Sequence, residues 1–263
     1  MSKEPIILTE VTEEGIGQIS LNKPNKRNAF DEEMIAMLTQ TFIDMGANEN
    51  VRAVVLRGEG VSFCAGGDLE WMRRSAEFSY NENVADAKNL GTLLKTINEL
   101  PKPTIALVHG HAFGGGVGLT AACDIAIAAA DTQFCLSEVR IGLIPSVIAP
   151  YVIGAIGERQ ARRYFLTAER FNGGEARRIG LVHEVVFPHE LDKKALEILR
   201  AMFEGAPEAQ RKGKALIRDI ARKPITDEMV EMTSTRIAEA RASKEGREGL
   251  DAFLNKREPS WRK

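Results

Sequence analysis

Disulfide chemistry has little to work with in this chain: the 263 residues include three cysteines, Cys64, Cys123 and Cys135, an odd number set in apolar surroundings. None stands in the paired CxxC spacing of a zinc site, so buried thiols and no metal are expected. Long apolar runs are also missing, since no uninterrupted stretch approaches the ~20 residues that span a bilayer. Met1-Ser2-Lys3-Glu4-Pro5 lacks the apolar core of a signal peptide, so a cytoplasmic chain with no membrane partner is expected. Nor does charge of one sign dominate. Thirty-five Lys and Arg against 37 Asp and Glu leave a net charge of −2, which gives no bulk electrostatic reason to expect nucleic acid. Low-complexity tracts, charged tails and proline-rich linkers are likewise absent.

What remains, 44% hydrophobic and 27% charged, describes an ordinary globular chain with one large domain, or one plus an appendage. Through the first two thirds, short apolar strand candidates alternate with helical patterns: Ile16–Leu21, Ala53–Leu56, Thr104–Val108 and Asp124–Ala128. This is an α/β arrangement. Between the first two, Asp31-Glu32-Glu33 opens a helix carrying Met34, Met37, Leu38, Phe42 and Met45 at helical spacing. The character changes near Glu190. Beyond it no convincing strand is seen, and Leu191–Phe203, Pro207–Ala221, Asp227–Ala242 and Glu248–Asn255 all suit helices. Residues 1–190 are accordingly expected to form the core and 191–263 a helical packing region.

Glycine marks two loops. Gly114-Gly115-Gly116-Val117-Gly118 follows the apolar run ending at Val108 and precedes the start of a buried helix, so bare N–H groups face an oxygen-binding position. The second loop, Ser62-Phe63-Cys64-Ala65-Gly66-Gly67-Asp68-Leu69, again joins a strand to a helix, with Asp68 suited to the N-cap. If the loops converge, one N–H from each can grip a single carbonyl oxygen as an oxyanion hole does; otherwise they are tight turns. Gly116-Val117-Gly118-Leu119-Thr120-Ala121 formally matches the GxGxxA dinucleotide fingerprint. The context differs, because Gly110 to Phe113 intervenes after the strand and the next strand starts too soon for a full crossover helix.

Glu138 sits in an otherwise apolar stretch, Phe134 to Pro145, where desolvation raises a carboxyl pKa and an adjacent cation such as Arg140 opposes the rise. It is either a general base or half of a buried salt bridge with some arginine. His109 and His111, flanking Gly110, read as packing residues at a strand end. Cys64 has no placed histidine partner and reads as packing as well.

Asn28-Ala29-Phe30, Phe63 to Leu69, His111 to Gly116, Asp124 to Ala128 and the Glu138 segment ending in Leu143-Ile144-Pro145, in that order and spacing, resemble the crotonase (enoyl-CoA hydratase/isomerase) family. The similarity runs from about Ile6 to Trp261. It implies a spiral of ββα units, trailing helices that mediate trimerisation, commonly as a hexamer of two trimers, and acyl-CoA thioesters as substrates, with no cofactor beyond the coenzyme A of the substrate. It further implies that the N–H groups of Ala65 and Gly115 form the oxyanion hole, that Gly66, Gly67, Asp68 and Leu69 line the acyl-CoA site, and that Arg27 and Ala29 lie near the coenzyme A nucleotide. Phe253 and Lys256 would contribute from a neighbouring subunit.

Related hydratases carry two glutamates. Glu138 matches the second, and Gly118 stands where the first would be. A hydratase working through one carboxylate and an isomerase shuttling a proton between C2 and C4 are both compatible with that pattern, as is a non-catalytic protein binding acyl-CoA or RNA. The fuller pattern is most similar to hydratases of branched glutaconyl-CoA thioesters, which selects hydration; Arg73 or Arg74 would then meet the second carboxylate.

Overall fold

The structure, a computed structural model, describes residues 4–262. Met1 to Lys3, on which the leader expectation partly rests, lie outside them. Along the chain come β1 (Ile7–Val11), β2 (Ile16–Leu21), α1 (Glu32–Ala47), β3 (Ala53–Gly58), α2 (Leu69–Ser75), α3 (Tyr80–Glu99), β4 (Thr104–Val108), β5 (His111–Phe113), α4 (Gly115–Ala122), β6 (Ile125–Ala129) and β7 (Gln133–Cys135). Then follow α5 (Ala149–Thr167), β8 (Phe171–Asn172), α6 (Gly173–Arg178), β9 (Glu184–Val186), α7 (Leu191–Phe203), α8 (Pro207–Ile220), α9 (Asp227–Ala242) and α10 (Lys244–Leu254).

The larger sheet runs β1-β2-β3-β4-β6-β9, antiparallel at its β1 edge and parallel from β2 onward. A smaller sheet, β5-β7-β8, pairs β5 with β7 in parallel and β7 with β8 in antiparallel fashion. Parallel strands need helical crossovers and are covered on both faces, which is why Thr104 to Val108 is buried at every residue. The expected strands are present with small shifts. Asp124 precedes β6, and its carboxylate accepts from Thr104 N (2.8 Å) and Thr104 Oγ1 (2.9 Å), pinning the starts of β4 and β6 together.

Helix α1 begins where its acids predict. The Asp31 carboxylate accepts from Met34 N, and Met34, Ile35, Leu38, Phe42 and Met45 are buried, whereas Met37 turns out to solvent. Five strands escape the sequence patterns: β1 presents four exposed residues after Ile7, and β5, β7, β8 and β9 have three residues or fewer. Among the described residues no strand follows β9, and no helix is long and apolar enough to cross a membrane.

By contact density the chain separates into two units, one formed by the chain up to Leu100 with Thr104–Ala195, the other by Pro101–Pro103 with the chain from Leu196 onward. The first holds both sheets and α1 to α6. The second is helical and exposes apolar side chains along it, among them Ile237, Leu250, Phe253 and Leu254.

Candidate active site

Side-chain and backbone hydrogen bonds bring the two glycine loops together. Asn28, fully buried and left-handed at φ 54°, donates through Nδ2 to Glu59 O (2.8 Å) and Ser62 O (2.7 Å), while its Oδ1 accepts from Lys23 N (2.9 Å). From Ser62 onward the first loop zips along β5: Phe63 N donates to His109 O (2.9 Å), Cys64 N to His111 O (3.0 Å) and Phe113 N to Cys64 O (3.0 Å). The glycines let the backbones touch. A Cβ at Gly116 would stand 2.4 Å from Cys64 O, and Gly66 (φ +94°) and Gly114 (φ +50°) hold backbone shapes that other residues rarely adopt. Gly116 and Gly118 are thus interior packing positions of α4, not a dinucleotide fingerprint.

The amides at this junction divide into engaged and free. Ala65 N, expected in the oxyanion hole, donates to Arg27 O at 3.0 Å, so that expectation is corrected: the Ala65 N–H is spent on holding the neighbouring turn. Gly67 N and Gly115 N make no hydrogen bond among the described residues. Gly67 is reached by a parallel bridge to Phe30, in which Phe30 N donates to Gly66 O and Asp68 N to Phe30 O, both at 2.9 Å, leaving the intervening amide unused. Gly115 opens α4, where the first N–H groups have no acceptor within the helix and the positive end of the dipole lies. The Phe30 ring packs directly on Gly115. A Cβ on Gly115 would stand 2.0 Å from Phe30 Cζ.

Glu138 closes the group. It opens a short 3-10 turn, Glu138–Ile141, held by Leu143 N donating to Glu138 O (3.1 Å), and its Oε1 would stand 3.1 Å from a Cβ on Gly114. Its Oε2 is buried without a hydrogen-bond partner, and burial pushes its carboxyl above the ordinary value. Among the described residues no ion pair compensates it. Arg140, expected to oppose the rise, points elsewhere: its Nη2 donates to Ala168 O at 2.6 Å. A desolvated carboxylate with one oxygen left unpartnered is costly to keep, and such costs concentrate where chemistry needs them.

The position of the absent acid is filled. A Cβ on Gly118 would stand 2.3 Å from Ile148 Cγ2 and 3.7 Å from Leu94 Cδ1, so an apolar wall occupies that volume one turn along α4 from Gly115.

Asp68 caps α2 as its position predicts, accepting from Glu70 N (2.8 Å) and Trp71 N (3.2 Å) through Oδ1, while Oδ2 pairs with Lys26 Nζ at 2.8 Å. The Lys26 contact holds its pKa low. Asp68→Ala should cost about 1 kcal/mol for the cap and more for the lost ion pair, whereas Asp68→Asn keeps the acceptor and loses only the pair. Urea unfolding of both variants checks the order. The pair's contribution is present above the unfolded carboxyl pKa and lost as pH falls through the lowered folded one.

The other expected residues are scattered in exposure. Ala29 is buried, Arg27 is exposed at φ 52°, and Leu69 is 73% exposed. Arg73 and Arg74 are exposed on α2, and Arg74 Nη2 is paired with Glu32 Oε2 at 2.7 Å. The histidines and cysteines behave as packing groups: His109 Nε2 meets Gly60 O and His111 Nδ1 meets Ser62 Oγ, each at 3.0 Å, and burial pushes the Cys64 thiol up to about 12. All three cysteines are buried and free, and no cluster of metal-binding side chains occurs among the described residues. Phe253, 81% exposed, and Lys256, at φ 51°, belong to the helical unit.

The chain as a whole has counterparts among known proteins. Residues 11–263 match the enoyl-CoA hydratase/isomerase family. The chain belongs to that family. An enoyl-CoA hydratase from Shewanella pealeana is 41% identical, with a TM-score of 0.95 over 98% of this chain and 96% of that one. Pseudomonas aeruginosa AtuE is 38% identical, with a TM-score of 0.94 over 98% of this chain and all of its own. Enoyl-CoA hydratase AFT6-1 of Alternaria alternata is 35% identical over 205 residues, 78% of this chain and 67% of its own. The fold is therefore the mixed α/β crotonase fold with a helical C-terminal region.

Within this hydratase/isomerase framework the sequence placed Gly67 in the acyl-CoA site and Phe30 in a family motif, but did not single out the free Gly67 N–H, the packing of Phe30 on Gly115, or Trp71 and Ile148. Ala65, Gly66 and Gly67 are adjacent small residues, and which N–H is free depends on which are consumed by Arg27 and by the bridge to Phe30.

Proposed function

We propose that this protein adds water across the 2,3 double bond of an enoyl-CoA thioester, with Glu138 as the single acid and base and the Gly67 and Gly115 amides as the oxyanion pair. The observation that carries the reading is the buried Glu138 Oε2 without a partner, beside the loops that bear the free amides. Glu138 takes a proton from water as its oxygen bonds to C3. The π electrons move through C2 to the thioester oxygen, where the amides stabilise the enolate. C2 then takes the proton back from Glu138, on the face to which the hydroxyl was added, and the carboxylate is restored. An oxyanion donor contributes roughly 10²–10³ in rate and a placed base roughly 10²–10⁴.

A second reading is favoured by one observation, the apolar filling of position 118 by Ile148. With no acid opposite Glu138, the same carboxylate can remove a C2 proton from a 3-enoyl thioester and deliver it to C4, making the protein an isomerase through the same enolate. For either reaction we assign Arg27 and Ala29 to the coenzyme A nucleotide and, in a trimer or pair of trimers, Phe253 and Lys256 to the site of a neighbouring subunit, a role supported by the exposure of Phe253. A branched glutaconyl thioester remains the proposed substrate class, with exposed Arg73 as the cation for its second carboxylate, Arg74 being engaged by Glu32.

The test is a spectrophotometric assay of the purified protein with crotonyl-CoA, 3-methylglutaconyl-CoA and a 3-enoyl-CoA. Loss of the conjugated thioester signal from either of the first two supports hydration. Its appearance from the third alone replaces hydration by isomerisation. No turnover of any of them, with coenzyme A still bound, overturns both.

A further inference from the structure

Trp71, on α2, lies against the free amide of the first loop. A Cβ on Gly67 would stand 2.9 Å from Trp71 Cζ3 and 3.1 Å from Cε3, so the indole is seated on the Gly67 backbone itself. Its ring also meets Phe30, centroid to centroid 6.4 Å at a tilt of 56°, and Phe30 in turn fills the space at Gly115. The aromatic pair thus spans both loops with partnerless amides.

Helix α2 has only seven residues and buries none of them fully; Trp71, half-buried, packs its ring against the core beside Phe30. Its polar tie comes from α3. Trp71 Nε1 donates to Asp86 Oδ1 at 3.3 Å, and Asp86 is half-buried, with burial pushing its carboxyl up and the indole N–H pulling it down. The remaining ties of α2 bind its ends: Asp68 and Glu70 to Lys26, and Arg74 to Glu32. Asp68 Oδ1 also accepts from the Trp71 backbone N–H at 3.2 Å, but of these residues it is Asp86 that bonds the indole lying against Gly67.

We propose that Asp86 is a positioning residue for the reaction, acting through Trp71 to hold the Gly67 amide where charge develops on the thioester oxygen. The inference rests on the oxyanion role given to Gly67 above. An amide that drifts loses most where the oxygen is most negative, so the loss falls on kcat more than on KM. A neutral acceptor of the same shape serves equally well, because the geometry asks of Asp86 an oxygen and not a charge.

Steady-state kinetics of Asp86→Ala and Asp86→Asn on the thioester that the wild-type protein turns over test this. Asp86→Ala should lower kcat about tenfold with KM changed less than about twofold, since a displaced donor forfeits part of the 10²–10³ it supplies. Asp86→Asn should recover most of the loss. An unchanged kcat in Asp86→Ala, or equal losses in both variants, overturns the proposal, whereas a wild-type protein inactive on every enoyl thioester overturns the function instead. Should Asp86→Ala fail to fold, Trp261→Phe leaves Trp71 as the sole tryptophan of the two in the chain. Its fluorescence must then change on saturation with butyryl-CoA, and a flat titration at concentrations where binding is seen by calorimetry is the contrary result.

Discussion

Gly118→Glu should unfold the protein or strip it of most of its stability. The first atom of the new side chain already stands 2.3 Å from Ile148 Cγ2, and Ile148 is 3% exposed, at the start of α5 in the same core as Leu94. Overpacking of this kind costs about 1–3 kcal/mol, and a carboxylate buried without a partner about 3–5 kcal/mol more. Against a total stability of roughly 5–15 kcal/mol, little remains. Ile148→Ala alone is expected to cost about 2–5 kcal/mol by leaving a cavity. Combined, the two should destabilise less than their sum, because each relieves the other's defect. Urea unfolding of the three variants reads the coupling. A Gly118→Glu protein melting with the wild type would show that the volume beside position 118 is open, and that the missing acid is a matter of sequence and not of packing.

The same position shows how far the sequence could be read. The absence of a second acid was visible at Gly118, but that Ile148, thirty residues on, fills its place was not, since nothing local marks a side chain that packs on a glycine of another helix. Strands of five or six residues with buried, β-branched patterns were legible; three-residue β5 and β7 were not, although β5 is the strand that zips the two loops together. Asp68 was recognisable as a cap, and Asp31 as an acid opening a helix, because helix starts are set by residues within one turn. The choice between Ala65 and Gly67 was not local: it is decided by Arg27 and Phe30, nearly forty residues earlier in the chain. Glu138 was conspicuous as an acid in an apolar run, and the structure adds what the run could not, that no arginine reaches it.

Glu138→Gln should make the protein more stable at neutral pH while removing its chemistry. A carboxyl whose pKa is raised by folding binds its proton more tightly in the folded chain than in the unfolded one. Stability therefore falls as pH rises from the ordinary value of 4.5 to the raised folded value, and stays low above it. Glutamine carries no charge to desolvate and escapes this loss. The melting temperature of Glu138→Gln should exceed that of the wild type at pH 7, and the gap should close as pH falls below about 4.5. A variant that melts lower at pH 7 would mean that the carboxylate is held by contacts favouring its charge. The pH profile of the wild-type kcat/KM carries the same information in rate: its acidic limb should lie above 4.5, since the base must be ionised.

The most direct measurement compares wild type and Glu138→Gln on the same enoyl-CoA thioester, with coenzyme A affinity determined on both by calorimetry. The account predicts a loss of about 10²–10⁴ in kcat with unchanged coenzyme A binding, the contribution of one placed acid and base. A Glu138→Gln protein that turns over the thioester at the wild-type rate would contradict it.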